Sequence, residues 1–538
     1  MRNEEEHFND LKHFEENGKL SCMEIQKKEI ARIIDEYFAS DMSKENYVYN
    51  TIAYIHKLYK EKKTTPLQVA KNILKAIKEI DEQNPSLKAV IKYDESLLLK
   101  QAEESTKRYE EGKEISVFDG VPVTIKDELD LAGFTSTKGM KVTEYTEHVI
   151  TEDEESNVSK SLRALGVMFV GKANQNEIGI CARGINVNFG SARNPYNLQC
   201  DTGGSSSGSG AGVGSGLIPL SIGTDGGGSV RIPSSLCGVY GLKPTHYRIS
   251  TKQKSAPVAF STCVAGPMTG SAIDLTLSFA AVAGRRSNDL KSLTQPRDLR
   301  LNEIRLMDPD YYNLNERKIG IHNDYFNDVK DNRIPKLCRD FIEKVFCKIY
   351  NAQIDDSIVI PLLEPSRVSH LVTIAGEMRN GMKDYGYYEY DKRSKLCPET
   401  RMSLLSQKYA SSSDYITAQR VRSHQMDEFA KLFEKVDVIA LPTVGCVAPE
   451  FDESQVKKGG LGVSDYDVLS SIMKFIFTSN FCGFPSVSIP IGFIDNKPVG
   501  LQLMAKWWDE VTLLKFCLLA EKYTEKKKPQ KFIDITSQ

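Results

Sequence analysis

The 538-residue chain has no CxxC pair, no HExxH pair and no uninterrupted apolar run near the roughly 18 residues that a membrane span needs. Its eight histidines are scattered and its eleven cysteines form an odd set. A zinc site and a disulfide framework are therefore both disfavoured, and the thiols are expected to be reduced. Charge of one sign is also lacking: 70 basic residues face 72 acidic ones, so nothing electrostatic points to nucleic acid. No internal repeat is evident. The opening stretch, "MRNEEEHFNDLKHFEENGKL", has no apolar core of a signal peptide. A cytoplasmic protein is the expectation, with peripheral contact to an internal membrane and homodimerisation left open. No cofactor and no metal are called for.

What is present is an alternation of helical and strand-like segments. Apolar residues recur at three and four in "EIARIIDEYF" and "YVYNTIAYIHKLYKEKK", which reads as a helical amino-terminal extension over residues 1–62. The remainder, 63–538, reads as one domain. It opens with Thr65 as N-cap, Pro66 in the first helical position and an apolar stripe through Val69, Ile73, Leu74 and Ile77 that stops before Pro85. A second helix is expected between Asp94 and Gly112. "GVPVTIKDELD" follows as a short strand with Lys126 at its end, then a helix in "SNVSKSLRALG" and strands in "VMFVGKAN" and "LIPLSIGTD". The carboxyl-terminal runs "PSVSIPIGF" and "PVGLQLMA" are again strand-like. The fold class is α/β, with a central mixed β-sheet covered by helices on both faces.

Two glycine-rich tracts interrupt this pattern. "GGSSSGSG", residues 203–210, has the look of a linker, yet patterned segments continue immediately on both sides of it. Within it, "GSSSG" satisfies GxSxG and would make Ser206 a nucleophile, but the preceding "NPYNLQCDTG" is turn-rich where that motif needs an apolar strand. "GVMFVGKA" resembles a phosphate loop, with Ala173 where magnesium needs Ser or Thr, so Lys172 reads as structural. The second tract, "GTDGGGSVR", has three glycines before Ser229. Such a loop lets backbone N–H groups approach a bound group, as an oxyanion hole requires, and the plainer reading is a turn with Ser229 capping a helix. A serine nucleophile needs a base. His246 is nearest in sequence and its spacing suggests no role, whereas a lysine buried at a strand end, as Lys126 is placed to be, loses its proton more readily.

Lys126, "GGSSSGSG" and "GTDGGGSVR" together resemble the amidase signature family of serine hydrolases. The likeness runs from about Thr65 to about Ala520 and includes "GKANQNEIG", "GSARNPYN", "RIPSSLCGVYGLKPT", "AGPMTGSAIDL", "VDVIALPT" and "NFCGFPSVSIPIGF". The resemblance implies a Ser-Ser-Lys triad: Lys126 as base, Ser205 as the bridging serine behind a cis peptide, and Ser229 as nucleophile. It further implies an oxyanion hole from the backbone N–H groups of Gly226, Gly227, Gly228 and Ser229. Ser206, Asp225 and Arg231 would support the site from behind. Ser207 stands where many members have glycine, and the two tracts look most like the plant-type fatty acid amide hydrolase branch.

The expected activity is hydrolysis of a carboxylic amide through a serine acyl-enzyme, on a lipid or other small-molecule amide such as an N-acylethanolamine. The tyrosine cluster in "DYGYYEYD" and the apolar "VLSSIMKFIF" are candidate linings for an acyl chain. Other readings are the A subunit of a glutamine-dependent aminoacyl-tRNA amidotransferase, a short-chain or aryl amidase, and a catalytically silent scaffold.

Overall fold

In the computed structural model, residues 24–40 and 49–537 are described, apart from Val142 and Tyr145. Thirteen strands occur among them: β1 (Val90–Tyr93), β2 (Pro122–Lys126), β3 (Met168–Ala173), β4 (Arg193–Asn194), β5 (Asn197–Asp201), β6 (Leu220–Asp225), β7 (Tyr240–Lys243), β8 (Val264–Thr269), β9 (Lys318–Gly320), β10 (Gln353–Asp355), β11 (Val438–Pro442), β12 (Ser486–Ile494) and β13 (Lys497–Ala505). Eleven of them form one sheet in the order β1-β3-β2-β6-β8-β7-β12-β13-β11-β9-β10, while β4 and β5 pair apart. The sheet is mixed: β2 runs parallel to β3 and β6, and β6 is antiparallel to β8.

Side chains alternate across β3 and thereby define the two layers. Met168 and Val170 enter one core cluster, with Ile73 and Leu74 of the helix Pro66–Asp81 and with Ala211. Val167 and Phe169 enter the other, with Leu275 and Phe279 of the helix Ala272–Val282. Burial on both faces explains why the central strands read as continuous apolar runs. The helix over residues 24–39 adds Ile30, Ile33, Ile34 and Tyr37 to that second cluster, and Ile52 of the helix Ile52–Lys60 joins them. Residues 1–23 of the expected extension lie outside the described residues.

Local expectations hold where capping chemistry was explicit. The Thr65 hydroxyl accepts from the Gln68 N–H at 3.1 Å, and Asp94 caps the helix Glu95–Glu110 by accepting from the Leu97 N–H at 2.8 Å. The serine-glycine tract differs most from its appearance. Residues 207–214, "SGSGAGVG", form a helix in which every residue is buried, although glycine costs about 1 kcal/mol per interior position relative to alanine. Contact offsets that cost. A Cβ on Gly208 would stand 2.2 Å from the Ala89 carbonyl oxygen and 2.3 Å from the Asn174 nitrogen, so only glycine lets the helix come this close to the sheet. No described helix is long and apolar enough to cross a membrane.

Strand register brings the two halves of the site together. Ile125 of β2 lies opposite Ile222 of β6 in a parallel pair, so both strands end on the same side of the sheet. Lys126 is thereby delivered beside Gly223 and Thr224. Ile222 is fully buried at this junction. Ile222→Ala should cost about 2–5 kcal/mol and lower the midpoint of thermal unfolding measurably. Leu405→Ala, at a side chain 45% exposed, should leave that midpoint within about a degree of wild type.

Candidate active site

Lys126, the last residue of β2, has no exposed surface. Its Nζ lies 2.7 Å from Ser205 Oγ, 2.7 Å from Thr224 Oγ1 and 3.3 Å from the Thr224 carbonyl oxygen. Glu128 approaches the same nitrogen at 3.6 Å, and its carboxylate accepts the Thr224 hydroxyl proton. Burial lowers the lysine pKa; Glu128, with Cys263 and Asp225 behind it, pulls the other way without cancelling the effect.

Ser205 follows a cis Gly204–Ser205 peptide bond, and its carbonyl accepts from the Asn176 N–H at 3.1 Å. Ser206 begins the helix 207–214 and is fully buried, which is not the exposed position of a nucleophile elbow. Its hydroxyl donates to the Thr224 carbonyl at 3.2 Å and accepts from the Thr224 N–H at 3.3 Å, while its own N–H bonds the Ser229 carbonyl at 3.3 Å. It therefore reaches Lys126 only through Thr224. Ser229 is 8% exposed against 1% for Ser205 and none for Ser206, so of the three it is the one open to a reactant. The helix that follows runs Arg231–Leu236 with Val230 at its N-cap and no side-chain cap bond, so Ser229 is not its cap.

One carboxylate organises the glycine loop. Asp225, at the end of β6, accepts the N–H groups of Gly228 (2.7 Å), Val230 (3.1 Å) and Arg231 (3.4 Å). Arg231 Nε and Nη2 each meet it at 3.0 Å, and Asn480 Nδ2 adds a bond of 2.9 Å. The guanidinium continues to the Ile476 carbonyl, to Ser486 and to Gln502. Burial would push the Asp225 carboxyl up, but Arg231 and its other donors hold it well below the usual carboxylate range.

The glycine loop corrects one sequence-based expectation. Gly228 does not offer its N–H to a ligand, because that group is spent on Asp225. Gly228 instead has φ +108°, and a Cβ there would stand 1.9 Å from Ile476 Cγ2, so its role is to let the chain turn under the helix Phe477–Cys482. Of the four amides expected as donors, this removes Gly228 and leaves Gly226, Gly227 and Ser229 as candidates.

Other residues take part that the sequence did not single out. Thr224 and Glu128 hold Lys126 from two sides, and their only signal was proximity, one residue before Asp225 and two after Lys126. Asn480 lies within a family-like block and ties Asp225 to the Thr262 carbonyl at 3.2 Å. Lys172, buried in β3, donates to the Leu129 carbonyl and to Ser136 Oγ at 3.1 Å, which is a structural use and no phosphate site.

Known proteins resemble this chain in sequence and in fold. Residues 71–514 match the family model described as Amidase. The chain is 38% identical over 497 residues to a fatty acid amide hydrolase of Oryza sativa, covering 91% of this chain and 79% of the relative. It is 36% identical to the fatty acid amide hydrolase of Arabidopsis thaliana, with 89% and 77% covered. A glutamyl-tRNA(Gln) amidotransferase chain of Moraxella catarrhalis is 30% identical over 76% of this chain and 83% of its own. Among solved structures, a bacterial aryl acylamidase of the amidase signature family superposes with a TM-score of 0.76 at 22% identity, over 91% of this chain and 98% of that one, a likeness of fold.

The buried ion pair carries a stability prediction. Asp225→Asn leaves the Arg231 charge buried without its counter-ion and should cost about 3–5 kcal/mol. A carboxyl held low in the folded state contributes above its unfolded value of about 3.9 and loses that contribution as pH falls through the folded value. The gap in unfolding midpoint between wild type and variant should thus stay constant from pH 8 to 5 and narrow below about pH 4.

Proposed function

The chain belongs to the amidase family, hydrolases of carboxylic amides, and from that premise we propose that it cleaves fatty acid amides through an acyl-enzyme on Ser229, with Lys126 as base and Ser205 as proton bridge. Hydrogen-bond accounting at Lys126 is the observation that carries the catalytic part. A neutral amine has two N–H groups and one lone pair. The Thr224 carbonyl can only accept, and Thr224 Oγ1, whose own proton goes to Glu128, must accept as well. Both N–H groups are thereby used. With the amine neutral, the lone pair is left for Ser205 Oγ, which lies at 2.7 Å and then donates to it.

The proton therefore has a direction of travel. Ser205 gives its proton to Lys126 and takes the one on Ser229, as the Ser229 oxygen attacks the amide carbonyl carbon. The carbonyl π electrons move to oxygen, where the amides of Gly226, Gly227 and Ser229 stabilise the charge. Collapse breaks the C–N bond, and the lysine proton returns through Ser205 to the leaving nitrogen. Water repeats the sequence on the ester, releasing the carboxylic acid and restoring Ser229. Glu128 and Thr224 keep the amine aimed, Ser206 holds Thr224, and Asp225 with Arg231 holds the loop.

An acyl chain as the variable part of the substrate is supported by what abuts the glycines. Ile374 and Cys263 lie 3.0 and 3.6 Å from the Cβ position of Gly226. Both pack on an apolar cluster that includes Ile178, Val258, Met378, Met382, Tyr385 and Tyr387. Met473 and Ile476 of "VLSSIMKFIF" close in on Gly227 and Gly228. The higher identity to the plant fatty acid amide hydrolases than to the amidotransferase chains favours the same reading.

Two experiments test it. On a panel of N-acylethanolamines, primary fatty amides, short aliphatic and aryl amides and glutamine, kcat/KM should rise about four-fold per added acyl methylene while the chain is being buried. Ser229→Ala should lose at least about 10⁴-fold in kcat, and Lys126→Ala about 10²–10⁴-fold. A preference for glutamine that appears only with a second protein present would transfer the chain to the amidotransferases. The second test is a pH profile. The active form is the neutral lysine, so kcat/KM should fall as pH drops through a value below that of ordinary lysine. Glu128→Gln removes the largest influence opposing burial and should move this acidic limb to lower pH.

A further inference from the structure

The glycines of this loop remove what normally fixes a peptide plane. With no Cβ at 226 or 227, the intervening peptide can rotate between orientations that side chains would forbid. Asp225 fixes the loop only from Gly228 onward. Something else must hold the plane between Gly226 and Gly227.

The holder comes from the helix Leu363–Gly381, which buries a polar stripe, Ser366, Ser369, His370, Thr373 and Glu377, at intervals of three and four beside Ala375 and Met378. Each turn is used for a purpose. Ser366 bonds Gln425 at 3.0 Å, Thr373 accepts from Gln419 at 2.8 Å, and Glu377 accepts the N–H groups of Phe260 and Ser261 at 2.9 Å. On the same face, His370 Nε2 lies 2.9 Å from the Gly226 carbonyl oxygen. A carbonyl only accepts, so Nε2 carries the hydrogen. The ring is 4% exposed and is held against Phe477 and, at right angles, Phe481. Its Cε1 lies 3.1 Å from the Cβ position of Gly227, and Ile374, one turn on, occupies the corresponding place at Gly226. Burial pushes the imidazole down to about 4, so the ring is neutral at ordinary pH and brings no charge to the loop.

The Gly226–Gly227 peptide is trans, so its N–H is directed opposite to its C=O. A carbonyl tethered to His370 sends the Gly227 N–H away from the helix Leu363–Gly381. We propose that His370 is a positioning residue for the oxyanion hole, which locks the Gly226–Gly227 peptide so that the Gly227 N–H is presented to the developing negative charge. It acts through the peptide it holds. The inference rests on the reading of Ser229 as nucleophile and adds to it a residue on a helix that carries none of the triad.

The test uses hydrolysis of decanoyl p-nitroanilide by the full-length protein, with Ser229→Ala as the reference. If Ser229→Ala turns over at the wild-type rate, the reading of the site fails irrespective of His370. With that control inactive, His370→Phe keeps a buried ring and removes the donor, and His370→Gln keeps a donor at similar reach and removes the ring. His370→Phe should lower kcat about 30-fold with KM within about three-fold, part of the 10²–10³ that one oxyanion donor supplies. His370→Gln should recover to within about five-fold of wild type. Affinity for a decyl trifluoromethyl ketone, whose adduct carries the oxyanion, should fall in proportion to kcat/KM across the variants. A His370→Phe enzyme with wild-type kcat overturns the proposal, as does a glutamine variant no better than alanine or a ketone affinity that stays constant. Should the phenylalanine variant fail to fold, the comparison of His370→Gln with His370→Ala decides on the same criteria.

Discussion

Everything at this site hangs on the Asp225 carboxylate. It sits where β6 ends, carries a full charge without solvent, and takes hydrogen bonds from three amides, a guanidinium and Asn480. A buried charge is tolerable only when paired and saturated in this way. The same bonds define the path of the chain from Gly228 to Arg231. Because Arg231 also holds Gln502 of β13, Ser486 of β12 and the Ile476 carbonyl, the loop is pinned to strands on the far side of β8 and β7. The glycine loop is therefore a rigid object built from flexible residues.

Charge elsewhere is arranged to a different end. Lys126 is equally buried, yet its surroundings do not supply a strong counter-ion in contact; Glu128 stands off at 3.6 Å and spends one oxygen on Thr224. The result is an amine that gives up its proton more easily than an exposed lysine. Two buried ionisable groups close to the same loop both lose protons more readily, which favours charge at Asp225 and disfavours it at Lys126. Asp225 is kept charged as a fixed anchor, and Lys126 is left less firmly protonated than an exposed lysine.

The parts that could be read in the sequence share a property: their signal is local. Thr65 with Pro66, Asp94 with Leu97, and the apolar runs of β3, β6, β12 and β13 each state their conformation within a few residues, through capping, ring geometry or side-chain period. Lys126, Ser205 and Ser229 were singled out through motif resemblance, and the fold brings Lys126 and Ser205 within 2.7 Å. What failed locally was the serine-glycine tract, because its helix is stabilised by close approach to Asn174 and Ala89, and propensity alone points to coil. The four-donor expectation failed at Gly228 for a related reason: a backbone N–H has no sequence signature, and whether it faces a ligand or a carboxylate depends on the fold.

The sequence by itself determined the α/β class, the order of the elements and the residue types able to do acyl chemistry, since these follow from periodicity and from what side chains can ionise or donate. Only the tertiary structure decided which of them meet. Parallel register between β2 and β6 set Lys126 against Thr224, and the long-range packing of the helix Leu363–Gly381 brought His370 to the Gly226 carbonyl across 144 residues of chain. Hydrogen bonds act over about 3 Å, whatever the separation along the chain.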